Sequence, residues 1–358
     1  MSTRWAVPVS LLPDELFSSW LTRAALAQGC DPLVLTGALW PRWRVWASDP
    51  DRGLSEDRLS TLAGSSGIDV LTFEMATLHP IASAITSVSL EHFPIWPWVL
   101  ALGSRNRKHH GGLQYCACCF KEDRKPYYRQ QWRLAWHTCC PTHGVLLLDR
   151  CSTCNAPLEP HRLSAEDCHL AICATCKSDL RKANTVALPL AVCAFQQAAD
   201  QVLRTGQGFY GTEKLDTCGW FELSRYFVML LRKVALMKNE GLLTFVKMLG
   251  VNTDSLWSPA TGLALELLPV EERARLLNGA WKMLDAEPEC FLTSVAGAHL
   301  TKESLHYQNH QVPDVITSLI NTLPANSISR TRKTQGNMDR PRSRQTVMRM
   351  FARLQRKL

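Results

Sequence analysis

Between Tyr115 and Leu180 the chain reads Cys116-Ala-Cys-Cys119, Cys140-Pro-Thr-His143, Cys151-Ser-Thr-Cys154 and Cys173-Ala-Thr-Cys176. A two-residue spacer lets both side chains of a pair point at one ion while amides of the intervening turn bond to the sulfurs. Two such pairs complete a tetrahedron. Four pairs in succession therefore predict two zinc knuckles, Cys116/Cys119/Cys140/His143 and Cys151/Cys154/Cys173/Cys176, with two zinc ions per chain. A lone C-x-x-C says little, whereas two ordered quartets in one short block fix the organisation of the centre.

In the first quartet Cys118 and Cys139 neighbour the chosen ligands and leave the register open; Cys116, Cys119, Cys140 and His143 are preferred because only they give two-residue spacers in both pairs. In the second, His161, Cys168 and His169 are conceivable substitutes. The alternatives to metal are weaker. Thioredoxin-like pairs sit singly beside a βαβ pattern, and simple burial does not ask for ordered fours. Fourteen cysteines in a chain read as cytoplasmic point to metal in place of disulfides. With four protein ligands each, the sites leave no position for water, so the metals are expected to be structural. The deaminase signature, H-E-x-x-H and the phosphate loop G-x-x-x-x-G-K-[ST] are all missing. The expectation is a protein that is not an enzyme.

Outside the block the pattern is helical, and the expected fold is mainly α. Asp14 is expected to cap a helix carrying Leu16, Phe17, Trp20, Leu21, Ala24 and Ala25 on one face and ending at Gly29. Ser55 opens a second helix over Glu56–Ala63, Gly64-Ser65-Ser66-Gly67 forms a turn, and Asp69 caps a third that ends before His79-Pro80. Together these suggest a helix-turn-helix. Apolar residues at three- and four-residue spacing predict helices within Phe221–Lys238, Leu242–Leu249, Val270–Leu284 and Val315–Leu323. The expected division is an N-terminal helix-turn-helix-like domain (1–103), tandem knuckles (104–185), a C-terminal helical domain (186–329) and a basic tail (330–358). Residues 104–112, with Arg105, Arg107 and Lys108, read as a basic linker.

Charge is uneven. From Arg330 to Leu358 there are ten Lys or Arg against Asp339 alone, so a net charge of +8 overall leaves the rest of the chain close to neutral. A basic arm on a neutral body suits nucleic acid or an acidic partner. From Ser343 it can form a helix with Val347, Phe351, Leu354 and Leu358 on one side and Arg349, Arg353, Arg356 and Lys357 largely elsewhere, while Arg342 and Arg344 extend the charge. The start has no charged segment followed by an apolar one, and no run is long enough to span a membrane. A cytoplasmic, nucleoid-associated protein is expected.

Other residues admit two readings. The third helix, Val70–Leu78, offers no Arg, Lys, Asn or Gln to base edges, so packing or protein docking suits it better than major-groove reading. Trp40, Trp43 and Trp46 interleave with Arg42 and Arg44, which fits an interface or base stacking, or a core closed by the tryptophans. Tyr127, Tyr128, Trp132 and Trp136 are expected to pack over the knuckles, which leaves Arg129 and Arg133 as candidates for partner or nucleic-acid contact.

The stretch Leu12-Pro13-Asp14-Glu15-Leu16-Phe17-Ser18-Ser19-Trp20-Leu21-Thr22-Arg23 resembles the start of TniQ-family proteins, relatives of the TnsD target selectors of transposons. So does the series Tyr115-Cys116 to Cys119, Tyr128-Arg129, Trp132-Arg133-Leu134, Cys140-Pro141-Thr142-His143-Gly144, Leu147 and Cys151 to Cys154. The resemblance covers residues 12–180. It implies a mostly helical adaptor, often a homodimer, linking a target-recognition device to an AAA+ transposition regulator (TnsC-like) and its transposase. In one branch the recogniser is an RNA-guided complex such as Cascade, which brings target DNA and guide RNA; in another the protein itself reads DNA. The compact length favours the first. The other class is an independent sequence-specific DNA-binding regulator.

Overall fold

The computed structural model describes residues 4–102, 109–188, 190–256, 263–306 and 312–321. It is mainly helical, as expected. The tail (330–358) and Arg105, Arg107 and Lys108 lie outside the described residues.

Helix α1 (Phe17–Ala27) buries Phe17, Trp20, Leu21, Ala24 and Ala25 completely. Its aromatic face meets Phe73, with the Trp20 and Phe73 ring centroids 4.7 Å apart. Asp14 does not cap this helix, contrary to the sequence expectation. It sits at φ 55° and gives its carbonyl to the Gln130 amide at 2.8 Å. The free first-turn amides are satisfied from elsewhere in the chain: Phe17 N–H donates to the Ala76 carbonyl and Ser18 N–H to Asp51 Oδ1, at 3.0 and 2.7 Å. A carboxylate at a helix N-terminus also opposes the positive end of the helix dipole, so a remote Asp51 does what a local cap would have done.

Helix α2 (Pro32–Leu39) follows, then α3 (Glu56–Ser66) and α4 (Val70–Met75). The turn between α3 and α4 is shorter than predicted. Gly64, Ser65 and Ser66 remain helical, the Ser65 and Ser66 hydroxyls donating to carbonyls one turn back. Only Gly67, at φ 79°, turns the chain. Asp69 then caps α4, accepting from the Thr72 amide at 2.9 Å, and α5 (His79–Ala84) comes next.

The central block holds α6 (Ala117–Glu122) and a two-residue hairpin, β1 (Cys139–Cys140) against β2 (Val145–Leu146), in register Cys139 to Leu146 and Cys140 to Val145. The predicted linker is in part packed structure. Gly111 and Gly112 are buried, and at Gly111 (φ 90°) a Cβ would stand 2.3 Å from the Glu266 carbonyl oxygen. Only glycine combines that conformation with that approach.

After α7 (Ala194–Thr205) comes a hairpin the helical pattern did not predict, β3 (Gln207–Tyr210) with β4 (Glu213–Asp216). Its signal was the two-residue connection Gly211-Thr212, with Gly211 at φ 58°. Asp216 then caps α8 (Thr217–Met237), accepting from the Gly219 amide. The 21 residues of α8 form the centre of this part, packed against α10 (Val270–Asp285). Helices α9 (Glu240–Met248), α11 (Pro288–Gly297), α12 (Lys302–Leu305) and α13 (Asp314–Ile320) surround them. One apolar cluster runs continuously from Leu78 through Tyr115, Trp132 and Trp136 to Phe221, Leu277 and Ile316. No helix among the described residues is long and apolar enough to cross a membrane.

Candidate metal centres

The eight predicted ligands come together in two groups, Cys116/Cys119/Cys140/His143 and Cys151/Cys154/Cys173/Cys176, with the candidate ligand atoms of each within 4.8 Å of one another. In the first, His143 Nδ1 is 3.6, 3.4 and 3.3 Å from the sulfurs of Cys116, Cys119 and Cys140. In the second, Cys151–Cys176 and Cys154–Cys173 are both 3.7 Å apart. A tetrahedron with Zn–S bonds of about 2.3 Å has edges of about 3.7 Å, so both groups fit a zinc ion.

Local backbone geometry builds each pair. Gly144, Asn155 and Lys177 adopt φ of 63°, 56° and 61° directly after three of them. Their amides fold back onto the carbonyls of Cys140, Cys151 and Cys173, each at 2.9 Å. Cys116 instead opens α6, which brings Cys119 round after one turn.

Two groups outside the quartets were not identified from the sequence. Glu122, one turn after Cys119, holds His143 Nε2 at 3.0 Å. That fixes the tautomer leaving Nδ1 free to face the metal, the carboxylate–histidine arrangement that orients metal-binding imidazoles. Burial lowers the His143 pKa, but the Cys140 sulfur and Glu122 outweigh it and raise the net value. In the second group Ser178 Oγ lies 3.3 Å from Cys151 and 3.1 Å from Cys176. Burial opposes ionisation of Cys151, yet Ser178 and the amides of Cys154 and Thr153 bring its thiol down to about 6. The first group is mostly buried, whereas Cys154 and Cys176 of the second are exposed.

The other candidate ligands stand apart from the quartets. His161 stacks on Trp46 with centroids 5.0 Å apart, Cys168 is exposed, and His169 is half-buried with its pKa lowered by burial and by Arg181. Cys139 forms a disulfide with Cys193 just before α7, with Cα atoms 6.5 Å apart, so the reading of the cysteines as metal ligands in place of disulfides is amended for this pair. The reason is strand geometry: successive residues of β1 face opposite ways, sending Cys140 to the quartet and Cys139 towards α7.

Of the arginines proposed for contact, Arg133 is a correction. It is fully buried, its guanidinium held by Asp51 Oδ2 at 2.6 Å, by Asp49 and by the Leu100 carbonyl, so no partner can reach it. Arg129 forks onto Asp123 at 2.9 and 3.2 Å and lies over the rings of Tyr127 and Trp132. Tyr128, Trp132 and Trp136 are buried beside the quartets. Trp40 is buried and Trp43 and Trp46 partly so, while Arg42 and Arg44 remain exposed.

The two motif stretches read separately in the sequence meet in space. Leu16 N–H donates to the Tyr128 carbonyl at 2.9 Å, and with the Asp14–Gln130 bond this pairs Glu15 with Arg129 in an antiparallel bridge. Ser19 Oγ adds a bond from the Tyr128 amide. Helices joined in this way to a Cys/His-rich block define a helical scaffold organised around candidate metal centres. The TniQ family model matches residues 6–147. That match, to under half of the chain, supports membership of the TniQ family and with it a role associated with DNA transposition. No curated protein matches the sequence.

Proposed function

We propose that this chain is a non-catalytic adaptor of DNA transposition, braced by two structural zinc ions, that links a target-recognition complex to an AAA+ regulator and its transposase. The observation that carries the reading is the TniQ domain over residues 6–147, which contains both the N-terminal helices and the first Cys/His quartet. The zinc ligands are Cys116, Cys119, Cys140 and His143, then Cys151, Cys154, Cys173 and Cys176. Four protein ligands at each ion leave no place for a reacting water, which favours a bracing role.

The recogniser is an RNA-guided complex of the Cascade type, with target DNA or guide RNA and a second copy of this chain as further partners. Direct base reading is the second choice because α4 has only six residues and turns Leu71 and Met75 to solvent, with no Arg, Lys, Asn or Gln to meet base edges. Phosphate contact falls to exposed Arg42 and Arg44 and to the basic tail. Deleting the protein should abolish targeted insertion while untargeted transposase activity persists. DNA cleavage or joining by the purified chain alone would overturn the reading.

A further inference from the structure

A groove of about 670 Å³ lies away from both quartets, between the loop after α5, one face of α8 and the start of α13. Its volume is in the range of ligand sites. Val88, Phe93 and Met229 contribute apolar surface. The charges are one-sided. Arg225 is neutralised by Glu266, whose Oε1 is 2.7 Å away and which is itself buried. Glu222 and Asp314 are exposed in the lining, and among the described residues the side-chain partner of Glu222 is the neutral Ser87 hydroxyl at 3.1 Å. The groove therefore presents two carboxylates around an apolar floor.

We infer that this groove docks a short segment of a partner protein in which one or two large apolar side chains are flanked by Lys or Arg. The apolar residues would cover Val88, Phe93 and Met229, and the flanking cations would meet Glu222 and Asp314. Acidic segments are repelled, which gives selectivity by charge as well as by fit. That the occupant is a protein segment rests on the adaptor reading above. The test needs no transposition assay, so its outcome is separate from that reading.

The probe is a fluorescein-labelled peptide, Gly-Lys-Arg-Leu-Phe-Lys-Arg-Gly, titrated with the full chain and followed by anisotropy. An otherwise identical peptide with Glu in place of Lys and Arg is the control. Saturable binding of the basic peptide, at least tenfold tighter than the acidic one, is expected. The double variant Glu222→Lys, Asp314→Lys changes only exposed side chains and should reverse the preference, and Val88→Glu, at an exposed position of the lining, should weaken the basic peptide at least tenfold. Equal binding of the two peptides, or a preference untouched by the charge reversal, overturns the proposal. So does carbodiimide coupling of the chain alone that joins Glu222 or Asp314 to a lysine of this same sequence, since the groove would then belong to the chain's own segments.

Discussion

Arg133 places Nη1 2.6 Å from Oδ2 of Asp51, two fully buried groups 82 residues apart in sequence. Asp51 also accepts from the Ser18 amide and hydroxyl. A single carboxylate thus caps the first turn of α1 and anchors the block that carries the quartets. Removing one member leaves the other charge buried without its partner. Arg133→Met should therefore cost about 3–5 kcal/mol, read as a lower urea midpoint. Arg133→Met combined with Asp51→Asn, which keeps an acceptor for Ser18, should cost less than the two single losses added together, and strictly additive losses would count against the pairing.

The link from Glu122 to His143 predicts an effect confined to one site. Glu122→Gln should weaken zinc at Cys116/Cys119/Cys140/His143 by about 10–100-fold and leave the Cys151 quartet unaltered. Competition with a chromogenic chelator resolves the two affinities, and equal weakening at both would contradict the assignment.

Exposure should order metal loss. A chelator meets Cys154 and Cys176 at the surface, whereas Cys116, Cys119 and Cys140 are buried. Purified protein should hold two zinc ions and release them in two phases. Cys154→Ser should remove the fast phase, and Cys119→Ser the slow one together with much of the folded signal. Release in one phase, or protein purified without zinc, would contradict this.

Gly111→Ala places a methyl group against the Glu266 carbonyl at a φ of 90°. The strain should cost about 1–3 kcal/mol or more. Gly29→Ala, at φ 72° with nothing within 4 Å of the new methyl, should cost only about 1 kcal/mol. Melting temperatures of the two variants give the comparison.

The basic tail predicts a salt effect. If Arg342, Arg344, Arg349, Arg353, Arg356 and Lys357 neutralise phosphates, each contact adds about −0.9 to the slope of log affinity against log salt on duplex DNA. Truncation after Ser329 should flatten that slope and weaken binding to all sequences alike. An unchanged slope would remove the tail from the nucleic-acid interface.

What was legible in the sequence was local. The quartets declare themselves by spacers of two residues, and α8 and α10 by apolar residues every three or four positions. What was not legible depends on partners far along the chain. Nothing near Asp14 shows that Asp51 and Ala76 will satisfy the amides of α1, and nothing near Arg133 shows that Asp49 and Asp51 will bury it. The hairpin at 207–216 carries one local sign, Gly211, between strands of only four residues each, too short for a period-two pattern to stand out. Cys193 stands 54 positions from Cys139, a separation at which no spacing rule applies.

The bridge between Glu15 and Arg129 also bears on how the protein is made. Leu16 and Asp14 find their bonding partners only at Tyr128 and Gln130, so the first helices leave the ribosome before the residues that fasten them exist. At about 5–20 residues per second, Leu16, which packs in the central apolar cluster, waits several seconds for the chain to reach Tyr128, whereas Phe17, Trp20 and Leu21 find their apolar neighbours by Phe73 and Ala76. Stalling synthesis short of Tyr128 should therefore leave the first helices packed on one another yet unfastened, with the side chain and amide of Leu16 still open to a nascent-chain chaperone.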